Sequence, residues 1–196
     1  MVVTTGSVRF DGRAEGTPET DWAALGGSDR ISALDLSGVR RLLVVSAHPD
    51  DETLGAAGLI ARLHAAGASV QVLVASDGEA SHPQSPTLTP AALGRRRRDE
   101  MTAATAHLAP NGRIDWLGLP DGQLAGHEAE LAAAVGRELG RHGRDGRGGA
   151  GTLVVSPWHA DGHPDHEAAA RSVARALAAR PGAVHLEFPV WAWLWA

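Results

Sequence analysis

The chain has 196 residues, 43% hydrophobic and 21% charged, the balance of an ordinary globular domain long enough to bury its own core. A net charge of −5 argues against a nucleic-acid partner, which wants a basic face, and no apolar stretch approaches the ~18 residues of a membrane span. With no cysteine, disulfides and thiolate chemistry are excluded, and any metal must be held by His, Asp or Glu.

The first 38 residues are polar and glycine-rich, an N-terminal extension in which Thr17-Pro18-Glu19-Thr20-Asp21 has the form of a helix start. Met1 to Gly12 lacks the apolar core of a signal peptide, so a cytoplasmic protein is expected. From Arg41 short apolar runs alternate with helical periods, as expected of a single domain. Arg41 to Ser46 reads as a strand. Thr53 to Ala66 reads as a helix with Leu54, Ala57, Ile60 and His64 on one face, stopped by Gly67. Val70 to Val74 is the next strand. A Pro- and Ser-rich loop, Ser81 to Pro90, leads into a helix to about Ala109 that carries Arg95 to Arg98. Ile114 to Leu117 is a short strand, Glu128 to Arg141 a helix, and Gly143 to Gly151 a Gly/Arg loop. Thr152 to Ser156 is a strand, Asp165 to Ala179 a helix, and Val184 to Phe188 a last strand. The apolar tail, residues 189–196, reads as a short terminal element or as a segment cut before a longer one.

Strands alternating with helices of this length imply an α/β fold with a mostly parallel sheet and right-handed crossovers. The runs around Val44, Val72 and Val154 are continuously apolar, as expected when helices cover both faces. In such sheets the site lies beyond the carboxyl ends of the strands. His48, Asp77, Asp121 and His166 each follow a predicted strand within a dozen residues.

Two of those strand ends carry the same tripeptide. Leu42-Leu43-Val44-Val45 runs into His48-Pro49-Asp50-Asp51-Glu52, and Thr152-Leu153-Val154-Val155 into Asp161-Gly162-His163-Pro164-Asp165-His166. Catalytic zinc takes three protein ligands, often two His and a carboxylate, and keeps a position open. His48, Asp51 and His166 supply that set. A helix starting at Pro49 turns Asp50 and Asp51 apart by ~100°, leaving Asp50 free to handle protons. His163 and His166 are three apart, hence on one helical face, and Asp165 can orient an imidazole. Asp77, Arg97 and Asp121 lie near the same edge, where carboxylates and a guanidinium suit sugar hydroxyls. Taken singly these features have plainer readings. Asp50 and Asp51 can be helix N-terminal acids, and Arg97 can be a surface partner of Glu100.

Ala47 to Glu52 together with Gly162 to His166 resembles the LmbE/PIG-L family of zinc-dependent de-N-acetylases, and the likeness runs from about Arg41 to Phe188. Ser76-Asp77-Gly78-Glu79 and Leu117-Gly118-Leu119-Pro120-Asp121-Gly122 support it. The resemblance implies a three-layer Rossmann-like α/β sandwich and one Zn2+ per chain on His48, Asp51 and His166. It implies Asp50 as general base and His163 as oxyanion donor with Asp165 behind it. Arg97, by its spacing to Glu100, and Asp121, in its Pro-Asp-Gly turn, match positions that hold the sugar. The implied reaction is hydrolysis of an N-acetyl group on an amino sugar or its conjugate, with a homo-oligomer left open. One departure stands out: relatives that place a Tyr before the second motif have no counterpart here, since the chain contains no Tyr. Trp158, His159 and Asp161 occupy that loop. A zinc-dependent amidase or other hydrolase on a non-sugar substrate, and a non-catalytic sugar-binding relative, remain open alternatives.

Overall fold

A computed structural model describes residues 15–24, 32–141, 151–178, 180 and 182–195. A short helix α1 (Glu19–Ala24) precedes β1 (Arg41–Ser46), α2 (Asp51–Ala65), β2 (Ser69–Ser76), α3 (Pro90–Leu108) and β3 (Arg113–Leu119). A single 3-10 turn (Leu124–Gly126) leads to α4 (Glu128–Arg141), β4 (Thr152–Pro157), α5 (Pro164–Ala178), β5 (Val184–Phe188) and α6 (Ala192–Trp195). The expected Gly143 to Gly151 loop lies outside the described residues except for Gly151.

The five strands form one sheet in the order β3-β2-β1-β4-β5, every pairing parallel. Strand residues alternate between two helical layers. Leu43 and Val45 pack with Leu131 and Val135 of α4 and Val173 of α5, whereas Leu42 and Val44 pack with Ile60 and Leu63 of α2 and Met101 of α3. This is the predicted three-layer sandwich, and its continuously apolar strands are those buried on both faces. The order reverses beside β1, so a crevice opens between the carboxyl ends of β1 and β4. At the opposite, amino end of the sheet a closed polar network does structural work. Arg41 donates to Gln71 Oε1 at 3.0 Å and to the Glu138 carbonyl at 2.9 Å, while the Gln71 amide donates to Glu138 and Asp115. Among the described residues no helix is long and apolar enough to cross a membrane.

Two sequence expectations shift. Helix α2 begins at Asp51 rather than at Pro49, with Asp50 as its N-cap. Its buried stripe is Glu52, Ala56, Ile60 and Leu63, so the expected face through Leu54 and His64 is out of phase. Leu54 is 68% exposed. The buried acid Glu52 masked the true stripe, because a carboxylate reads as a solvent-facing residue.

Helix α2 can sit against β5 because Gly55 has no side chain: a Cβ there would lie 1.9 Å from Phe188 Cδ2. Gly55→Ala gains ~1 kcal/mol of helix propensity but overpacks a buried ring at a cost of ~1–3 kcal/mol. The expected net loss is about 0–2 kcal/mol, read as a lower urea midpoint at constant slope. A higher midpoint would show that this contact does not fix the α2 position.

Candidate metal centre

The first motif is shaped by backbone strain. Asp50 adopts φ 113° and ψ −25°, and among the described residues no other non-glycine has a positive φ. Such a conformation costs ~1–3 kcal/mol and persists only where neighbours enforce it. Its carbonyl accepts the Thr53 and Leu54 N–H groups at 2.9 Å each, its N–H donates to Glu52 Oε2 at 3.2 Å, and Arg97 holds it from outside. The consequence is divergence of two adjacent carboxylates. Asp51 turns inward and is 2% exposed, while the Asp50 side chain is 57% exposed and lines a cavity of about 1060 Å³. The separation predicted from helical rotation is present, but a left-handed cap produces it.

Asp51 stands between two imidazoles. Its Oδ2 accepts the Ala47 and His48 N–H groups at 2.9 Å each and lies 3.9 Å from His48 Nδ1. Its Oδ1 lies 3.2 Å from His166 Nε2. The far nitrogen of each ring faces a carboxylate: His166 Nδ1 is 2.7 Å from Asp161 Oδ2, and His48 Nε2 is 3.1 Å from Asp121 Oδ1 and 3.2 Å from Asp165 Oδ2. Metal-ligating imidazoles are oriented in just this way. His163, immediately before α5, completes the group, with ring centroids 4.9 Å from His48 and 4.7 Å from His166.

Two observations say that the residues fit a cation. His166 Nε2 is buried and has no hydrogen-bond partner among the described residues, although Asp51 Oδ1 lies 3.2 Å away. The electrostatics agree. Burial disfavours charge on His48, yet the bonds to Asp121 and Asp165 outweigh it and lift its pKa to about 10. Burial likewise opposes charge on His166, but Asp51 and Asp161 raise it to about 9. Burial would raise Asp51, but His166 and His48 hold it well below the ordinary carboxylate range. A pocket that binds protons this firmly is built to hold positive charge. His163 is the exception, since burial and its two imidazole neighbours lower it to about 4. Its Nδ1 accepts the Asp165 N–H at 3.2 Å, which leaves the proton of the neutral ring on Nε2.

Among the described residues two three-residue groups have ligand atoms close enough for one ion, His48 with His163 and His166, and His48 with Asp121 and Asp165; the expected set of His48, Asp51 and His166 is not one of them, although Asp51 lies 3.2 Å from His166 and 3.9 Å from His48. The second group is better suited to orient His48. Asp165 accepts Gly122 N–H at 2.7 Å and Leu124 N–H at 3.0 Å, and Asp121 Oδ2 accepts Ala80 N–H at 2.8 Å, so both carboxylates are committed to the backbone.

Other predicted residues fall differently. The Asp165 carboxylate lies against His48, and the Asp165 N–H donates to His163. Glu100 pairs with Arg96 at 2.8 Å, not with Arg97. Arg97 instead donates to the Pro49 carbonyl at 2.6 Å, to Asp50 Oδ2 at 2.9 Å and to the Gly78 carbonyl at 3.1 Å. Asp77 pairs with Arg98 at 2.7 Å and is not among the cavity-lining residues. Of the loop residues standing where relatives have Tyr, His159 pairs with Glu187 at 2.6 Å, and Asp161 is the buried partner of His166. The sequence carried no periodic signal for Asp161, which precedes the helix bearing its partner. Nor did it single out Leu54, Leu88, Leu93 and Val190, which with Trp191 of the apolar tail form the apolar part of the cavity wall.

A parallel sheet with an imidazole–carboxylate cluster at its switch point defines an α/β protein with a candidate metal centre. The sequence matches the family described as PIG-L, GlcNAc-PI de-N-acetylase, over residues 43–177, which include both motifs, and the chain belongs to that family. A curated relative from Segniliparus rotundus, named 1D-myo-inositol 2-acetamido-2-deoxy-alpha-D-glucopyranoside deacetylase, is 36% identical over 172 residues, covering 76% of this chain and 53% of its own. The chain spans about half the length of the curated relatives it matches. Among solved structures, a deacetylase triple mutant of the teicoplanin biosynthetic pathway is 27% identical with a TM-score of 0.60, covering 78% of this chain and 65% of its own. The conserved protein TT1542 from Thermus thermophilus is 32% identical with a TM-score of 0.57, covering 76% and 66%.

Metal binding is expected to release protons. At pH 6 the raised pKa values keep His48 and His166 protonated in the metal-free chain, and each must lose a proton to become a ligand. Calorimetric titration with zinc in buffers of different ionisation enthalpy is expected to show about two protons released per ion. Apparent affinity should rise with pH up to about 9–10, the range of the two values. Binding without proton release would rule out the two imidazoles as its ligands.

Proposed function

We propose that the chain carries a zinc-dependent hydrolase that removes the acetyl group from an N-acetylated amino sugar or its conjugate. The observation that carries the reading is the divergence of Asp50 and Asp51: one carboxylate is sealed between two imidazoles, and its neighbour is presented to the cavity. A binding module has no need of a free base at that position. The names of the related deacetylases support the N-acetyl sugar as substrate class.

In this reading His48, Asp51 and His166 hold the zinc, one per chain. When bound, zinc supplies Lewis acidity, lowering the pKa of water to roughly 7. Asp50 takes the proton of the attacking water. Although its side chain is more than half exposed, partial desolvation and the charge of Asp51 hold its pKa above the ordinary carboxylate value, against the pull of Arg97 and His48, which suits a group that must accept a proton and return it. His163, neutral with its proton on Nε2, donates to the carbonyl oxygen as that atom gains charge, a contribution of roughly 3–4 kcal/mol for one well-placed donor. It takes the place of the Tyr that the chain lacks. Asp50 then passes its proton to the leaving amine, and acetate and a free amino sugar depart. Asp165 and Asp121 fix the His48 ring. Arg97 and Asp121, both on the cavity wall, are also the proposed contacts of the sugar hydroxyls. Asp77, engaged by Arg98, is left out.

The reading is tested by a turnover screen of the zinc-loaded chain over N-acetyl amino sugars and their glycosides, simple amides and phosphoesters. Release of acetate from the sugars supports it. Turnover confined to amides or phosphoesters identifies a different hydrolase, and zinc binding without turnover on any of them identifies a binding protein.

Asp50→Asn keeps the side-chain size but cannot accept the proton, so zinc content should be unchanged while kcat falls by roughly 10²–10⁴. Near-full turnover in this variant would remove Asp50 as base.

Arg97→Ala loses a charged donor worth ~1.5–3 kcal/mol per bond, giving a roughly ten- to hundredfold drop in kcat/KM at constant zinc content. Because Arg97 also clamps the Asp50 carboxylate, part of that loss is expected in kcat. A change confined to KM would show that Arg97 touches only the substrate.

A further inference from the structure

We propose that Asp161 is a positioning residue that couples the His166 imidazole to the cavity wall at Val190 and Trp191, an inference that rests on the metal reading above. Asp161 lies in the turn between β4 and α5 and is fully buried. Its Oδ2 stands 2.7 Å from His166 Nδ1 and accepts the Trp191 N–H at 3.0 Å. Its Oδ1 accepts the N–H groups of Val190 at 2.9 Å, Trp191 at 3.0 Å and Ala192 at 2.9 Å. Three successive backbone donors converge on one carboxylate, as at a helix N-terminus. The donors keep it ionised and prevent it from turning away from the ring.

Two consequences follow from this hub. An ionised carboxylate only accepts, so the proton that His166 retains belongs to Nδ1, and the proton lost on metal binding is the one on Nε2, which faces the Asp51 side. On the other side, Val190 and Trp191 line the cavity, so the same carboxylate sets where that wall stands. Ligand orientation and wall position are therefore not independent. The wall is braced in turn. Thr17 N–H donates to the Leu194 carbonyl at 3.2 Å, and the Trp22 ring meets Trp193 edge-on at 4.9 Å, so α1 holds α6 in place.

The test uses the full chain, with zinc as the probe. Asp161→Asn preserves shape but removes the charge and sets an amide donor among donors. Zinc affinity, measured by competition with a chromophoric chelator, is expected to weaken about 10- to 100-fold. Amide hydrogen exchange at 190–192 is expected to accelerate in the same variant, with its circular dichroism unchanged. In the wild-type chain, zinc is expected to slow exchange of those three amides, although none belongs to a proposed ligand. That wild-type comparison decides the matter if Asp161→Asn does not fold. Unchanged zinc affinity in a folded Asp161→Asn, or wild-type exchange at 190–192 indifferent to zinc, overturns the inference while leaving the metal centre intact. A wild-type chain that binds no zinc overturns the metal reading itself.

Discussion

Leu42 pairs with Leu153 and Val44 with Val155 where β1 lies beside β4, and this parallel register places two distant His-Pro-Asp segments on one edge of the sheet. Each strand is buried on both faces, so neither can slip without moving its whole apolar set out of the layers it fills. The crevice at this reversal of strand order is where open α/β sheets bind ligands. Here it receives His48 and Asp51 from one side and His163 and His166 from the other. Asp51 closes the junction, because its carboxylate is fixed by the backbone of its own turn and faces the ring from the opposite strand.

Charge explains why such a junction is stable and why it has a use. Asp51, Asp121, Asp161 and Asp165 surround imidazoles in a place where burial alone would keep those rings neutral. An unbalanced group of carboxylates in low dielectric would be costly. It becomes tolerable because most of their oxygens accept backbone N–H groups and because the rings bring positive charge. In the proposed reading, protons and a divalent ion compete for the same cage.

The sheet was legible because buried parallel strands have an unmistakable apolar run and their crossovers a helical period, so β1, β2, β4, α4 and α5 were predicted close to their observed limits. The residues that meet at the site were legible for a related reason: two motifs at equivalent strand ends must converge once the sheet is parallel. What the sequence hid were contacts set by side chains reaching across the fold. Arg97 has a plausible partner three residues away in Glu100, and local spacing cannot reveal that its guanidinium reaches Pro49 and Asp50 instead. Asp161 and Glu52 were missed because a buried acid looks like a surface acid until its partners are known. The α2 stripe was misread for that same reason.

The two missed contacts are of one kind. Each motif lies in a turn between strand and helix, and a turn alone cannot hold a functional group to the fraction of an ångström that catalysis needs. Each turn is therefore braced by a segment far away in the chain. Arg97 grips the first motif from 47 residues downstream of Asp50, on a helix whose start is set by Pro90 and the Thr89 cap. The backbone of residues 190–192 grips the second through Asp161, 31 residues away at Ala192. The helix brings a charged side chain to a strained carboxylate, and the tail brings backbone donors to a buried one. Both braces also end on the cavity surface, since Arg97, Val190 and Trp191 line it. In the proposed reading, a substrate that presses on either brace acts on the group behind it, Asp50 as proposed base in one case and His166 as proposed ligand in the other, so that substrate fit and site geometry are bound into one mechanical unit.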